Sequence, residues 1–261
     1  MTSSSLWNMT HRSRVTTFIG AGGKTTCLRS LTQEIESAGQ QVVATTTTKV
    51  YPEEGMIPWR APNPPSPNKD AACFWYDRLE AESGKWIGPS VNSVDNAIAE
   101  EHCHSKRYWV IEGDGARGLK LKCWESYEPQ IPKYTDCAVL VVDRGLWGKV
   151  LQAEQVHRSY LCKDLLGTVW NAENAWSYFL RSPVFAPQYA PMSWVILLNS
   201  PEITITNKGV IASRKPLDVI NELKARWLEL QQNSVIEMRP CHLRLAVGDA
   251  KEGNLRWFDL W

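Results

Sequence analysis

The run Gly20-Ala21-Gly22-Gly23-Lys24-Thr25-Thr26 constrains this chain more than any other feature, because it separates a short β-branched segment from a helical repeat. Arg14 to Ile19 (RVTTFI) reads as a buried strand, and Leu28, Leu31 and Ile35 recur at helical spacing in TTCLRSLTQEIESAG. The helix is expected to stop at Gly39, which can take the left-handed cap conformation, and QVVATTTT follows as a second strand. Strand, helix and strand in this order form a βαβ unit, whose crossover in a parallel sheet is right-handed. A glycine-rich turn at the start of a helix presents backbone N–H groups and the positive end of the helix dipole to an anion. Lys24 can then reach β- and γ-phosphates, and the Thr25 hydroxyl can ligate Mg²⁺. Lys24 is expected to be exposed in the loop and to touch only the ligand. The longer pattern G-x-x-x-x-G-K-[ST] needs glycine where this chain has Phe18, so the loop is the short G-x-x-G-K-T form. The dinucleotide fingerprint G-x-G-x-x-G fails at Thr25, and no acidic residue ends the second strand to take a ribose. A nucleoside triphosphate with Mg²⁺ is the expected ligand.

Further along, Tyr51 to Lys69 carries six prolines and reads as a loop or inserted flap. FWYDRL and GKWIGP suggest a small hairpin, and SVDNAIAEE a short helix capped by Ser93. Residues 51–95 thus read as an insertion in one domain spanning 1–261. Compact apolar strands are expected at Arg107 to Ile111, Cys137 to Asp143 and Ser193 to Asn199. A helix starting near Pro216 carries Leu217, Ile220, Leu223, Trp227 and Leu230 on one face, and HLRLAV and LRWFDLW close the chain as strands. The alternation implies a doubly wound, mostly parallel α/β sheet of P-loop NTPase type.

Composition narrows the partners. A formal net charge of +1 argues against nucleic acid and against an anionic membrane surface, so any anion site must be local. The first fifteen residues hold no apolar run suited to a signal peptide, and no later run suits a membrane span, which makes the cytoplasm the expected location. Seven scattered cysteines without C-x-x-C give no disulfide framework and are read as reduced thiols. His102-Cys103-His104 has ligand chemistry but reads as a solvated loop. Thirteen tryptophans exceed the needs of a core this size, so some are expected to cover substrate or partner surfaces.

Four further groups carry candidate chemistry. Thr45, Thr46, Thr47, Thr48 and Lys49 end the second strand at the edge where the glycine loop lies; the hydroxyls can sense a phosphate or simply suit a strand. Glu112 and Asp114 follow a buried strand, where a nucleotide site needs an acid for Mg²⁺, although Asp and Gly also form turns. Arg117, Lys120 and Lys122 come next and can hold an anionic second substrate or form a solvated face. His157-Arg158 is a catalytic or charge-stabilising pair, or a structural one.

In combination, IGAGGKTT, TTTTKVYP, VIEGDGARGLKLK, EPQIP, VHR and a strand ending in LLN resemble the YqeC family, described as accessory proteins of selenium-dependent molybdenum hydroxylases. The motifs run from about Phe18 to Asn199. The resemblance implies a nucleotide-binding α/β protein that acts in maturation of such an enzyme. Its partners would be a client hydroxylase and an anionic small molecule or molybdenum or selenium cofactor. By motif, Gly20 to Thr26, Thr45 to Lys49, Glu112, Asp114, Arg117, Glu128-Pro129 and His157-Arg158 fall in the implied site, with Asn199 at the nucleotide. The family commonly continues its late strand as L-N-K-x-D, a guanine-reading element, where this chain has Leu198-Asn199-Ser200-Pro201-Glu202; a preference for ATP, or poor discrimination among bases, is therefore expected rather than guanine selection. It commonly has proline after V-H-R, where this chain has Ser159.

Three activities fit these residues. One is a Mg²⁺-dependent NTPase or phosphoryl or nucleotidyl transferase using Lys24, Glu112, Asp114 and Arg158. Another is a maturation factor that nucleotide switches without turnover. The third is an ATP-dependent ligase built on a Mur-type loop.

Overall fold

A computed structural model of the chain describes residues 5–52, 55–67, 71–102, 106–200, 203–206, 209–212, 215–232 and 239–261. Nine strands form the main sheet: β1 (Val15–Gly20), β2 (Val42–Thr46), β3 (Ile57–Arg60), β4 (Cys73–Tyr76), β5 (Tyr108–Glu112), β6 (Cys137–Asp143), β7 (Ser193–Asn199), β8 (His242–Asp249) and β9 (Asn254–Asp259). Their order is β9-β8-β7-β6-β1-β5-β2-β4-β3, parallel throughout except for the closing pair β8 and β9. The helices are α1 (Leu6–Met9), α2 (Lys24–Ser37), α3 (Val91–His102), α4 (Ala172–Leu180) and α5 (Pro216–Gln232). This is the mostly parallel α/β sheet that the alternation of strands and helices implies.

The central strands are buried on both faces, as a parallel sheet between helical layers requires. Along β6, Ala138, Leu140 and Val142 enter the cluster that includes α4 and α5 residues, while Cys137, Val139 and Val141 enter the cluster of α1 and α2. The two-residue period of a strand sends alternate side chains to opposite faces, so one apolar run supplies both cores.

From β1 the chain moves outward in one direction to β2, β3 and β4, returns to β5, and then crosses β1 to continue through β6, β7 and β8. Strand order reverses beside β1, and ligands in open α/β sheets bind outside the carboxyl ends of strands at such a switch point. Gly20, Thr46, Glu112, Asp143 and Asn199 all end their strands on that edge.

Several expectations change. The proline-rich segment is more than a flap, since its Ile57–Arg60 strand pairs in parallel with Cys73–Tyr76 and extends the main sheet. The expected hairpin is present, with Arg78–Leu79 pairing antiparallel to Trp86–Ile87, and Lys49–Val50 joins it to make a separate three-stranded sheet. Helix α3 begins at Val91, with the Ser90 hydroxyl accepting the Ser93 N–H, so Ser90 rather than Ser93 caps it. The expectation of wholly reduced thiols is overturned by a disulfide between Cys123 and Cys162, whose Cα atoms are 6.4 Å apart. Parallel pairing of Leu121–Lys122 with Val156–His157 brings these cysteines together, a tertiary contact that spacing does not disclose. Cys27, Cys73, Cys137 and Cys241 are free thiols, while Cys103 and His104 lie outside the described residues. No described helix is long and apolar enough to cross a membrane.

None of the thirteen tryptophans is fully exposed, although Trp7, Trp59, Trp124, Trp257 and Trp261 are half-buried. Trp75, Trp109, Trp170, Trp176, Trp194 and Trp227 are among the largest fully buried side chains. Trp176 packs at 4.7 Å from Trp227 and donates its indole N–H to Leu223 O at 2.8 Å, which locks α4 against α5. Trp176→Ala is therefore expected to destabilise the fold by about 3 to 5 kcal/mol, the usual cost of emptying an aromatic core site. Chemical denaturation followed by far-UV circular dichroism checks this, and a loss below about 1 kcal/mol would contradict the packing role.

Candidate functional site at the glycine loop

The turn from β1 to α2 is built on backbone that side chains cannot adopt. Gly22 and Gly23 have φ of +87° and +114°, and a Cβ on Gly22 would stand 2.5 Å from the Asp143 backbone nitrogen. A Cβ on Gly23 would meet the Asn199 side-chain amide at 2.5 Å. Glycine is thus required by both conformation and close approach. The Asn199 amide donates to Gly22 O at 3.0 Å, and its carbonyl accepts from Ala250 N–H at 2.9 Å, so this residue ties the loop to the β8 edge.

No side chain caps α2, and Gly22 through Thr26 line a cleft of about 1090 Å³ at the carboxyl edge of the sheet. The unpaired first-turn N–H groups of a helix and its dipole favour an anion at this position. Thr25 Oγ1 donates to Glu112 Oε2 at 2.9 Å, which sets a hydroxyl and a carboxylate side by side at the mouth of the loop.

Lys24 is only 5% exposed, contrary to the expectation of a free loop lysine. Its ammonium donates to Gly20 O at 2.7 Å and lies 3.3 Å from Asp114 Oδ1 and 3.7 Å from Glu112 Oε1. Burial opposes its charge, but Asp114 and then Glu112 outweigh burial and raise its pKa above the ordinary lysine value. Lys24 is therefore a charged, parked side chain.

Asp114 has no exposed surface and lies behind the loop. Both its oxygens accept the Gly20 N–H, at 3.1 and 3.0 Å, and Oδ2 also accepts the Trp124 indole N–H at 2.7 Å. Lys122, also fully buried, stands 3.5 Å from Asp114 Oδ2 and 3.0 Å from Glu128 Oε1. Arg158 completes the series at 2.6 Å from Glu128 Oε2, and donates to the Tyr127 hydroxyl at 3.0 Å. Charges alternate from Glu112 through Lys24, Asp114, Lys122 and Glu128 to Arg158, which is how buried ions avoid the desolvation penalty of isolation.

The remaining candidates divide. Thr48, Lys49, Arg117, Lys120 and His157 line the same cleft. Thr46 and Thr47 do not, because their hydroxyls donate to Glu112 O at 2.9 Å and Gln130 O at 2.7 Å, fastening the β2 end to its neighbours. Thr45 likewise donates to Trp75 O. Lys49 pairs with Glu80. Burial, followed by the cations Lys122, Arg158 and Arg117, lowers the His157 pKa, so its imidazole is neutral. Asp143 and Trp124 were not singled out by sequence reasoning. Asp143 ends β6 just as Glu112 ends β5, so the same strand-end argument could have found it. Trp124 carried no such signal.

The family model described as YqeC protein matches residues 16–160, which include the loop, Glu112, Asp114, Glu128 and Arg158. A curated relative, the uncharacterized protein YqeC of Escherichia coli (strain K12), is 30% identical over 161 residues. That match covers 60% of this chain and 62% of the relative, so it spans less than two thirds of the relative's length. No solved structure matches. With its glycine loop and charge network inside the matched segment, the chain belongs to the YqeC family.

Proposed function

We propose that this chain binds a nucleoside triphosphate, with ATP the expected one, through a P-loop-like Gly20 to Thr26 turn, together with Mg²⁺. The observation that carries the reading is the placement of Lys24 and Thr25 at the head of an uncapped helix, both against Glu112. Phosphate-binding loops of this chemistry use the lysine on phosphate charge, and use the hydroxyl with a strand-end acid to hold the metal. The donor set fits Mg²⁺: Thr25 Oγ1 and Glu112 Oε2 are hard oxygen ligands already 2.9 Å apart. The cation would neutralise phosphate charge when bound. Asp114, which sits behind the loop, positions Gly20 and Lys24 instead of reaching the ligand.

Lys24 would exchange Gly20 O and its two carboxylates for phosphate oxygens. That exchange favours a nucleotide-operated maturation factor, because releasing Lys24 perturbs the charge series that ends at Arg158. For this step the resemblance of the motifs implies a role in maturation of a selenium-dependent molybdenum hydroxylase.

Three outcomes are expected. Lys24→Met, which keeps volume, should lower ATP affinity at least tenfold by calorimetry, since each charge-assisted phosphate contact is worth about 1.5 to 3 kcal/mol. A far-UV spectrum and melting curve confirm folding, and unchanged affinity in a folded variant would exclude this loop. Glu112→Gln should reduce affinity measured with Mg²⁺ to the value measured in EDTA, while leaving the EDTA value unaltered. Equal losses in both buffers would give Glu112 a structural role only. Because Asn199 spends its carbonyl on Ala250 and its amide on Gly22, ATP, GTP and CTP should compete within about tenfold of one another. A hundredfold preference for GTP would refute this use of Asn199.

A further inference from the structure

The cleft carries more positive charge than its own carboxylates cancel. Lys24 is taken by Glu112 and Asp114, Lys49 by Glu80, and Arg158 by Glu128. Lys120 pairs with Asp143 at 3.8 Å. Lys85 lies over the Tyr51 ring, and Arg117 is exposed and makes no ion pair among the described residues. Arg117, Lys120, Lys85, His157 and Arg158 all line the same cleft as the glycine loop.

Two more observations place a ligand here. The backbones of Arg117 and Arg158 adopt the left-handed conformation, with φ of 52° and 59°. Strained non-glycine residues of this kind gather at ligand sites. The cleft volume of about 1090 Å³ exceeds the roughly 300 to 1000 Å³ that suits one small ligand. There is room for a second molecule beside a nucleotide.

We infer that the wall formed by residues 115–120 and 157–158 is a second anion subsite, which takes a small molecule bearing a phosphate or carboxylate group. Arg117 is its anchor, as the cation with planar paired donors and no ion-pair partner among the described residues. Arg158, held by Glu128 and Tyr127, flanks it, and neutral His157 can donate one hydrogen bond to the anion without further charge. Burial lowers the His157 pKa most, Lys122, Arg158 and Arg117 lower it further and Glu128 raises it, so an added anion would offset the three cations and raise that pKa. The subsite rests on the nucleotide reading only in assigning the glycine loop to a different ligand.

Inorganic phosphate and citrate serve as probes, titrated by calorimetry into the full chain with and without a saturating non-hydrolysable ATP analogue and Mg²⁺. At least one probe should bind with the analogue in place, phosphate tighter if the natural group is a phosphate, citrate tighter if it is a carboxylate. Arg117→Met should weaken that probe at least tenfold and change analogue affinity less than twofold. Nuclear magnetic resonance should show the His157 imidazole pKa rising with the bound probe in the wild type and not in Arg117→Met, with His157→Asn assigning the signal. Should the analogue fail to bind, probe affinity that depends on Arg117 and not on Lys24 would uphold the subsite while the nucleotide reading falls. No binding of either probe, displacement of both by the analogue, or indifference to Arg117→Met would overturn it.

Discussion

Asp114 is a carboxylate sealed from solvent, and the site is organised around keeping it compensated. Gly20 N–H and the Trp124 indole satisfy its oxygens, and Lys24 and Lys122 approach from two sides. An uncompensated buried carboxylate would be costly, so each of these partners is held in place by the same penalty. The consequence is a fixed loop. Gly20 is fastened at the end of β1, Lys24 returns over the turn to Gly20 O, and the first turn of α2 is left facing the cleft.

The same carboxylate joins distant parts of the chain. Lys122 sits on a short strand that pairs with Val156–His157, and the next residue, Cys123, is bonded to Cys162. Residues 121–123 and 156–162 are therefore stapled by backbone pairing, by a disulfide and by the Lys122, Glu128 and Arg158 series. A ligand that draws Lys24 away from Asp114 leaves Lys122 as its remaining cation. This gives a physical route from the glycine loop to the cationic wall, carried by charge compensation and not by any large movement.

Much of the architecture was legible because buried parallel strands are short apolar runs with sharp ends. Cys137–Asp143 and Ser193–Asn199 match their expected limits, and Gly39 adopts the left-handed conformation that ends α2. The proline-rich stretch hid one strand. Its Ile57–Arg60 strand sits at the sheet edge, where proline is tolerated because one side of the ladder is unpaired. Within the site, residue types disclosed the loop, Glu112 and the cations of the cleft. They did not disclose that Lys24 is buried, that Asp114 lies behind the loop, or that Thr46 and Thr47 are spent on backbone carbonyls. Those facts depend on strand register and on which neighbour supplies a carbonyl, and one sequence carries neither. The cysteine pair was hidden for the same reason.

The central claim is that the β1 to α2 turn holds a triphosphate by recruiting Lys24 from its internal partners. A crystal structure of the chain soaked with a non-hydrolysable ATP analogue and Mg²⁺ tests it most directly. The account predicts phosphate oxygens over the N–H groups of Gly22 to Thr25, Lys24 Nζ moved from Gly20 O onto phosphate, and the cation between Thr25 Oγ1 and Glu112. Phosphates bound elsewhere in the cleft, with Lys24 still on Gly20 O, would contradict it.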